Sequence, residues 1–434
     1  MTAAVRLLVV AFFFPPAGGG GVQRTLKFCK YLPESGIDVH VLAPDDPKWL
    51  VRDEGLLEAI PPETTVHRAP FRGPAAVLRS EAIRERRGLA RAAAEARLLP
   101  VRLLPDRASM WAPAAARAAL RIVRRERIDV LLTTSPPNSM HAVGAFAGSR
   151  ARVPWVADFR DPWLASAFRG ERGPHVRAKR AAETRLARAA VRRAAALTCV
   201  TETIAGELAR FDPAAPARTT VIGNGADLDD FTAFEHRRNE RFTLVHAGSF
   251  IGSRSLEPVL TAVKELEERR PELRGTIRVR FVGDLREADR ARAGALDVPH
   301  AWEETGHLTY AEALRAQREA DALLLLIPHA SGHGPAIVSG KVFEYVAARR
   351  PILAVVPPGG AAAALVRGLG GGPVADPADV TGIAAALEGL VDEWRAGGLP
   401  DRGYPAAELA AISRRERARE LAAVLERVTR AGDA

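Results

Sequence analysis

Short apolar runs, each followed by a turn and a helix-like segment, recur along this chain, and the whole pattern starts twice. The first run, "VRLLVVAFF", enters "PPAGGGG" and then "VQRTLKFCKYLPESG", where Val22, Leu26, Cys29 and Leu32 fall at near-helical spacing and Gly36 is a stop. "IDVHVLA" (37–43), "IDVLLTT" (128–134), "PWVADF" (154–159), "ALTCVT" (196–201) and "TTVIGNG" (219–225) read as further strands. Short runs apolar throughout, with helices between them, specify a parallel sheet covered on both faces.

The pattern restarts at "FTLVHAGSF" (242–250), again an apolar run entering a glycine turn, with a helix expected from Leu256 to Arg269. "IRVRFVGD", "ADALLLLI" and "PILAVVP" supply more strands. The expectation is an α/β chain of two Rossmann-like domains facing a central cleft. Residues 1–233 would form the first and 234–410 the second. A C-terminal helix, 411–434, would pack back toward the first. With 434 residues, two cores are needed in any case. Ligands of such sheets bind at the carboxyl ends of the strands.

Composition narrows the class. Cys29 and Cys199 fit neither a disulfide framework nor a metal spacing, so a reducing, cytoplasmic compartment is expected. No apolar run reaches the ~18 residues of a membrane span. Val5 to Phe14 has the length of a signal-peptide core, but it runs into Pro-Pro and four glycines without a small-x-small cleavage site. The net charge of +10 raises nucleic acid as a partner, yet the arginines are dispersed over Ala-rich helices and aromatics make up only 6%. Nucleic acid is therefore not expected. The basic stretch from Arg79 to Arg127 has the look of a segment attracted to an anionic membrane surface.

Two nucleotide motifs fail on spacing, and one metal motif reads as a turn. A G-x-G-x-x-G fingerprint begun at Gly18 would need glycine where Gln23 stands, although Asp45 and Asp46 lie about 20 residues on. "GPAIVSGKV" (334–342) has one residue too many for a P-loop and offers Val342 where magnesium needs a hydroxyl. Asp227-Leu228-Asp229, after Asn224-Gly225, reads as a turn.

Six stretches, in order, carry a resemblance: "FPPAGGGGVQRTLKFCKYLPESGIDVHVL", "TTSPPNSMHAVG", "PWVADFRDPW", "VIGNGADLDDF", "HAGSF" and "SGKVFEYVAARRPILAV". Together they resemble glycosyltransferase family 4, in its bacterial branch with the DFRDPW sequence, and cover nearly the whole chain. The resemblance implies the GT-B architecture. It also implies transfer of a sugar from a nucleotide donor to a hydroxyl acceptor, with retention, no essential metal and no cofactor beyond the donor itself.

The resemblance assigns roles. In the second half, Gly248, Ser249 and Arg254 would receive the diphosphate; the family's basic residue after the glycine is Ser249 here, so Arg254 becomes the cation. Ser339, Gly340 and Lys341 open a helix whose N-terminus suits phosphate, and Glu344 would accept from the ribose hydroxyls. The family's upstream glutamate is Ala336 here, leaving His333 and Gly334 to reach the sugar. His307 and Leu308, in "TGHLTYAEAL", would lie over the base. In the first half, Gly19, Gly20 and Gly21 would form a loop that admits the donor, in glycosyl transfer to a glycan, lipid-linked or small-molecule acceptor. Asp158, Arg160, Asp161 and His141 are the catalytic candidates; Arg160 takes the place of a family histidine and cannot act as a base. Rival readings are a nucleotide-sugar 2-epimerase of the same architecture, a non-catalytic nucleotide-sugar-binding partner, and a nicotinamide dehydrogenase.

Overall fold

The computed structural model describes residues 5–45, 47, 49, 51–71, 104–163, 174–248, 254–329 and 338–432. The chain divides into two compact units. One comprises Met1–Asn224 with Arg414–Ala434, and the other comprises Gly225–Ser413. The boundaries expected at 233 and 411 thus fall at Gly225 and Arg414.

Among the described residues the first unit holds seven strands: β1 (Val5–Val10), β2 (Ile37–Asp45), β3 (Thr65–Pro70), β4 (Val130–Ser135), β5 (Trp155–Phe159), β6 (Ala196–Cys199) and β7 (Thr219–Val221). They form one sheet in the order β3-β2-β1-β4-β5-β6-β7, and every pairing is parallel. All positions of β4, β5 and β6 are buried, as expected of strands covered by helices on both faces. β3 was not foreseen. "TVHRAP" lies at the sheet edge and alternates weakly, so its apolar content is too low to read as a buried run.

The helix Gly20–Tyr31 follows β1 and ends in a 3-10 turn, Leu32–Ser35, that closes on Gly36 at φ 74°. The C-terminal helix Arg414–Gly432 packs on it and buries Leu421, Val424 and Leu425. The helices Ala112–Arg125, Met140–Ala151 and Pro174–Arg193 pack side by side elsewhere on the unit.

The second unit repeats the design with β8 (Phe242–Ala247), β9 (Ile277–Val282), β10 (Trp302–Glu304), β11 (Ala322–Leu326), β12 (Ile352–Val355) and β13 (Val374–Ala375). Their order is β10-β9-β8-β11-β12-β13, again parallel. The three-residue β10 and two-residue β13 are edge strands too short to signal themselves. The helix Glu257–Arg269 lies one residue from the expected start and buries Val259, Leu260, Val263 and Leu266. In each unit strand order reverses once, between β1 and β4 and between β8 and β11. These are the switch points where open α/β sheets receive ligands.

Asp227 caps the short turn Leu228–Phe231 by accepting from the backbone N–H of Asp229. The Asp227-Leu228-Asp229 stretch is thus a turn, as its sequence suggests.

Candidate active site

At the first switch point the glycine run divides its labour. The helix starts at Gly20, so Gly20 and Gly21 occupy its first turn instead of a free loop. Gly19 is the N-cap at φ 87°, a conformation that disfavours any side chain. A Cβ on Gly18 would lie 2.7 Å from Val51 Cγ1, which makes that position a close approach. Gly20 has nothing within 4 Å of its missing Cβ. Bare backbone therefore stands in open space at a helix N-terminus.

Asp158 ends up at the centre of a buried polar knot. Its carboxylate accepts from Arg24 Nη2 at 2.9 Å and Thr198 Oγ1 at 2.8 Å on one oxygen. The other accepts from Arg24 Nε at 3.1 Å and Thr134 Oγ1 at 2.8 Å. Those contacts use all the acceptor sites a carboxylate has. Burial pushes its pKa up, but the Arg24 charge and hydrogen bonds overcome this and hold it below the usual carboxylate range. Arg24 also donates to the carbonyls of Ile222 and Gly223. The pair welds the helix Gly20–Tyr31 to β5 and to the end of β7, a structural duty in place of the catalytic one expected for Asp158. Arg24 itself escaped the sequence reading. A cation among the apolar positions of a helix, set against an aspartate in an all-apolar strand, was the available signal.

Arg160, just past β5, is half-buried and spends its guanidinium on backbone carbonyls: Ser135 at 2.8 Å, Gly21 at 2.6 Å and Pro136 at 2.9 Å. It ties the first turn of the Gly20–Tyr31 helix to the turn after β4. That makes it a positioning residue. Asp161 beside it is exposed and makes no hydrogen bond to a described residue.

His141 is wholly buried. Its ring sits 4.4 Å from Phe159 and 5.6 Å from Trp163, between ring centroids. Burial lowers its pKa to about 3, so it is neutral at ordinary pH. Its Nδ1 meets Thr133 Oγ1 at 2.8 Å, and that hydroxyl already accepts from Trp155 Nε1 at 2.8 Å. The network fits a hydroxyl that donates to Nδ1. His141 is therefore a core residue and a poor base. The Trp155 indole fits only because residue 144 is glycine: a Cβ there would lie 2.2 Å from Trp155 Nε1.

The second switch point gathers most of the described donor candidates. β8 ends at Ala247, whose N–H donates to Tyr345 Oη at 3.0 Å, and the hydroxyl donates on to Leu324 O at 3.3 Å. Tyr345 thereby locks β8 against β11. His246 Nδ1 donates to the same carbonyl at 2.8 Å, and burial beside Lys341 takes its pKa down to about 3. Gly248 follows at φ 122°, and a Cβ on it would lie 2.4 Å from Lys341 Nζ. The lysine head thus rests directly over bare backbone. Lys341 stands in the first turn of the helix Gly340–Ala347, whose N-cap Ser339 makes no side-chain cap.

Burial and the neighbouring Arg254 charge pull the Lys341 pKa down to about 8, with Glu344 opposing. Arg254 donates through Nε to Leu326 O at 3.3 Å, and neither cation is ion-paired with a described residue. A lysine at a helix N-terminus, with a second cation near enough to lower its pKa and no carboxylate paired with either among the described residues, forms an anion site. Glu344 is half-buried and accepts from Gln317 Nε2 at 3.4 Å. His307 is exposed, and Leu308 packs on the core. Ser249, His333 and Gly334 lie outside the described residues. Sequence reasoning missed Tyr345 and His246, which carry no catalytic pattern and act by holding the end of β8.

Residues 18–230 match the family model described as Glycosyltransferase Family 4. No curated protein sequence matches the chain. Among solved structures, HepE of Anabaena in complex with UDP and glucose is similar over 98% of both chains, with a TM-score of 0.58 and 13% identity. A glycosyltransferase from Rickettsia africae is similar at a TM-score of 0.58 and 12% identity, over 98% of this chain and 96% of its own. The UDP-GlcNAc 2-epimerase of Methanocaldococcus jannaschii follows at 0.54 and 10%, over 98% and 100%. These likenesses establish the two-sheet GT-B fold. Over residues 18–230 the chain carries a glycosyltransferase family 4 domain.

Proposed function

We propose that this protein moves a sugar from a nucleotide-diphosphate donor to a hydroxyl acceptor, with retention and without an essential metal, in the building of a glycan or a natural product. The observation that carries the reading is the Lys341 ammonium resting over Gly248, with the Arg254 charge near enough to lower its pKa. The repulsion between the two cations is relieved when a diphosphate arrives, and the same charges meet the negative charge that grows on the leaving group. Positive charge from side chains and a helix N-terminus here does what a metal ion does elsewhere. Glu344 is suited to ribose hydroxyls, which can replace the weak contact from Gln317.

In the first unit Asp161 is the candidate for orienting the acceptor hydroxyl, because Asp158 is saturated and His141 is neutral and enclosed. The HepE structure holds UDP and glucose, so UDP-glucose is the first donor to try. Thermal shift and calorimetry with UDP and UDP-glucose should show binding in the wild type. Lys341→Ala and Glu344→Ala should each weaken it by about tenfold or more, the size of a lost charge-assisted contact. Acceptor-dependent release of UDP completes the test, and proton NMR of the product reads its anomer. Binding without acceptor-dependent release would refute transfer, and interconversion of UDP-GlcNAc with its 2-epimer would establish the epimerase instead.

A further inference from the structure

Three adjoining helices of the first unit, Ala112–Arg125, Met140–Ala151 and Pro174–Arg193, present an outer face with almost no acid. The first two contain no Asp or Glu, and the third has only Glu183, which is buried. Arg117, Arg121 and Arg124 are exposed at spacings of four and three, a single stripe along the first helix. Arg188 and Arg192 are exposed at spacing four on the third. On the middle helix Phe146 and Arg150 share the outward stripe, and Phe146, 47% exposed, is one of two large hydrophobic side chains among the described residues left in solvent.

None of these arginines forms an ion pair with a described residue, whereas several exposed arginines elsewhere do. Arg270 meets Glu272, Glu388 and Asp392 in the second unit, and Arg419 and Arg430 meet Glu416 and Glu426 on the C-terminal helix. The net charge of +10 is therefore not spread evenly. A cationic layer unpaired among the described residues, with an exposed aromatic on its central helix, matches the chemistry of a lipid headgroup interface. There anionic lipids attract the arginines and an aromatic ring enters the headgroup zone. A polyanion such as nucleic acid would use the charge but give Phe146 less reason for exposure on the central helix.

We infer that this three-helix face docks the protein on an anionic membrane surface. The inference stands on a different surface from the donor site and does not depend on what that site binds. The test is co-sedimentation of the full chain with vesicles of phosphatidylcholine alone and with about a third phosphatidylglycerol. The wild type should bind the anionic vesicles only, and binding should fall as salt rises above about 0.1 M.

The variant Arg121→Gln/Arg124→Gln/Arg188→Gln/Arg192→Gln should lose about tenfold or more in partitioning. Phe146→Ser should weaken binding most at the higher salt. A control with equal charge change, Arg274→Gln/Arg395→Gln/Arg419→Gln/Arg430→Gln, should bind like the wild type. UDP-induced thermal shift, measured on every variant, reports folding and keeps the two readings separable. Equal loss in both quadruple variants, or binding to duplex DNA without binding to vesicles, would overturn the inference.

Discussion

At the scale of single residues, three neighbouring charges in "DFRDPW" have three different fates. Asp158 is a buried anchor, Arg160 a clamp on backbone carbonyls, and Asp161 an exposed carboxylate. Asp158→Asn or Arg24→Met leaves a buried charge uncompensated and should cost about 3–5 kcal/mol of stability, read from urea unfolding of the first unit. Asp161→Asn should leave the unfolding midpoint unchanged and lower turnover more than donor affinity. If Asp158→Asn retains full stability, the anchoring role is wrong. Spacing alone could show that charges cluster after a strand. It could not show which was buried, because the partner of Asp158 lies far away in sequence at Arg24.

At the scale of elements, the turn from β8 to Gly248 and the start of the helix Gly340–Ala347 work as one cationic cradle. Its pH dependence follows from Lys341. A lysine whose folded pKa is about 8, below its unfolded 10.5, binds fewer protons folded than unfolded between those values. Stability therefore rises with pH across that window, since the unfavourably charged head is neutralised in the folded state. Donor binding runs the other way, because a diphosphate needs the ammonium. Affinity for UDP should be flat below pH ~8 and fall above it, and Lys341→Ala should remove the fall. Calorimetry at several pH values reads both. The N-terminal glycines were legible as a strand-to-helix turn. Which of them needed to be glycine was not, since the limits at Gly18 and Gly19 come from Val51 and from a φ of 87°.

At the scale of the whole molecule, the chain is discontinuous in its units, because Arg414–Gly432 returns to the unit that holds the N-terminus. Leu425 is fully buried there. Leu425→Ala should cost about 2–5 kcal/mol, lowering the melting transition of the first unit by calorimetry. A bound nucleotide should raise the transition of the second unit alone, because a ligand stabilises what it binds. A single transition shifted equally by both would contradict this division.

The amino-acid order by itself determined the repeated α/β pattern, the parallel sheets and the glycine turns after β1 and β8. Those depend on local periodicity and on backbone freedom, which are written in consecutive residues. Edge strands β3, β10 and β13, the Arg24–Asp158 knot, the burial of His141 and the nearness of the Arg254 charge to Lys341 were decided only by tertiary structure. Each depends on the desolvation and electrostatics of groups brought together from distant parts of the chain, and such energies do not exist until the fold has formed.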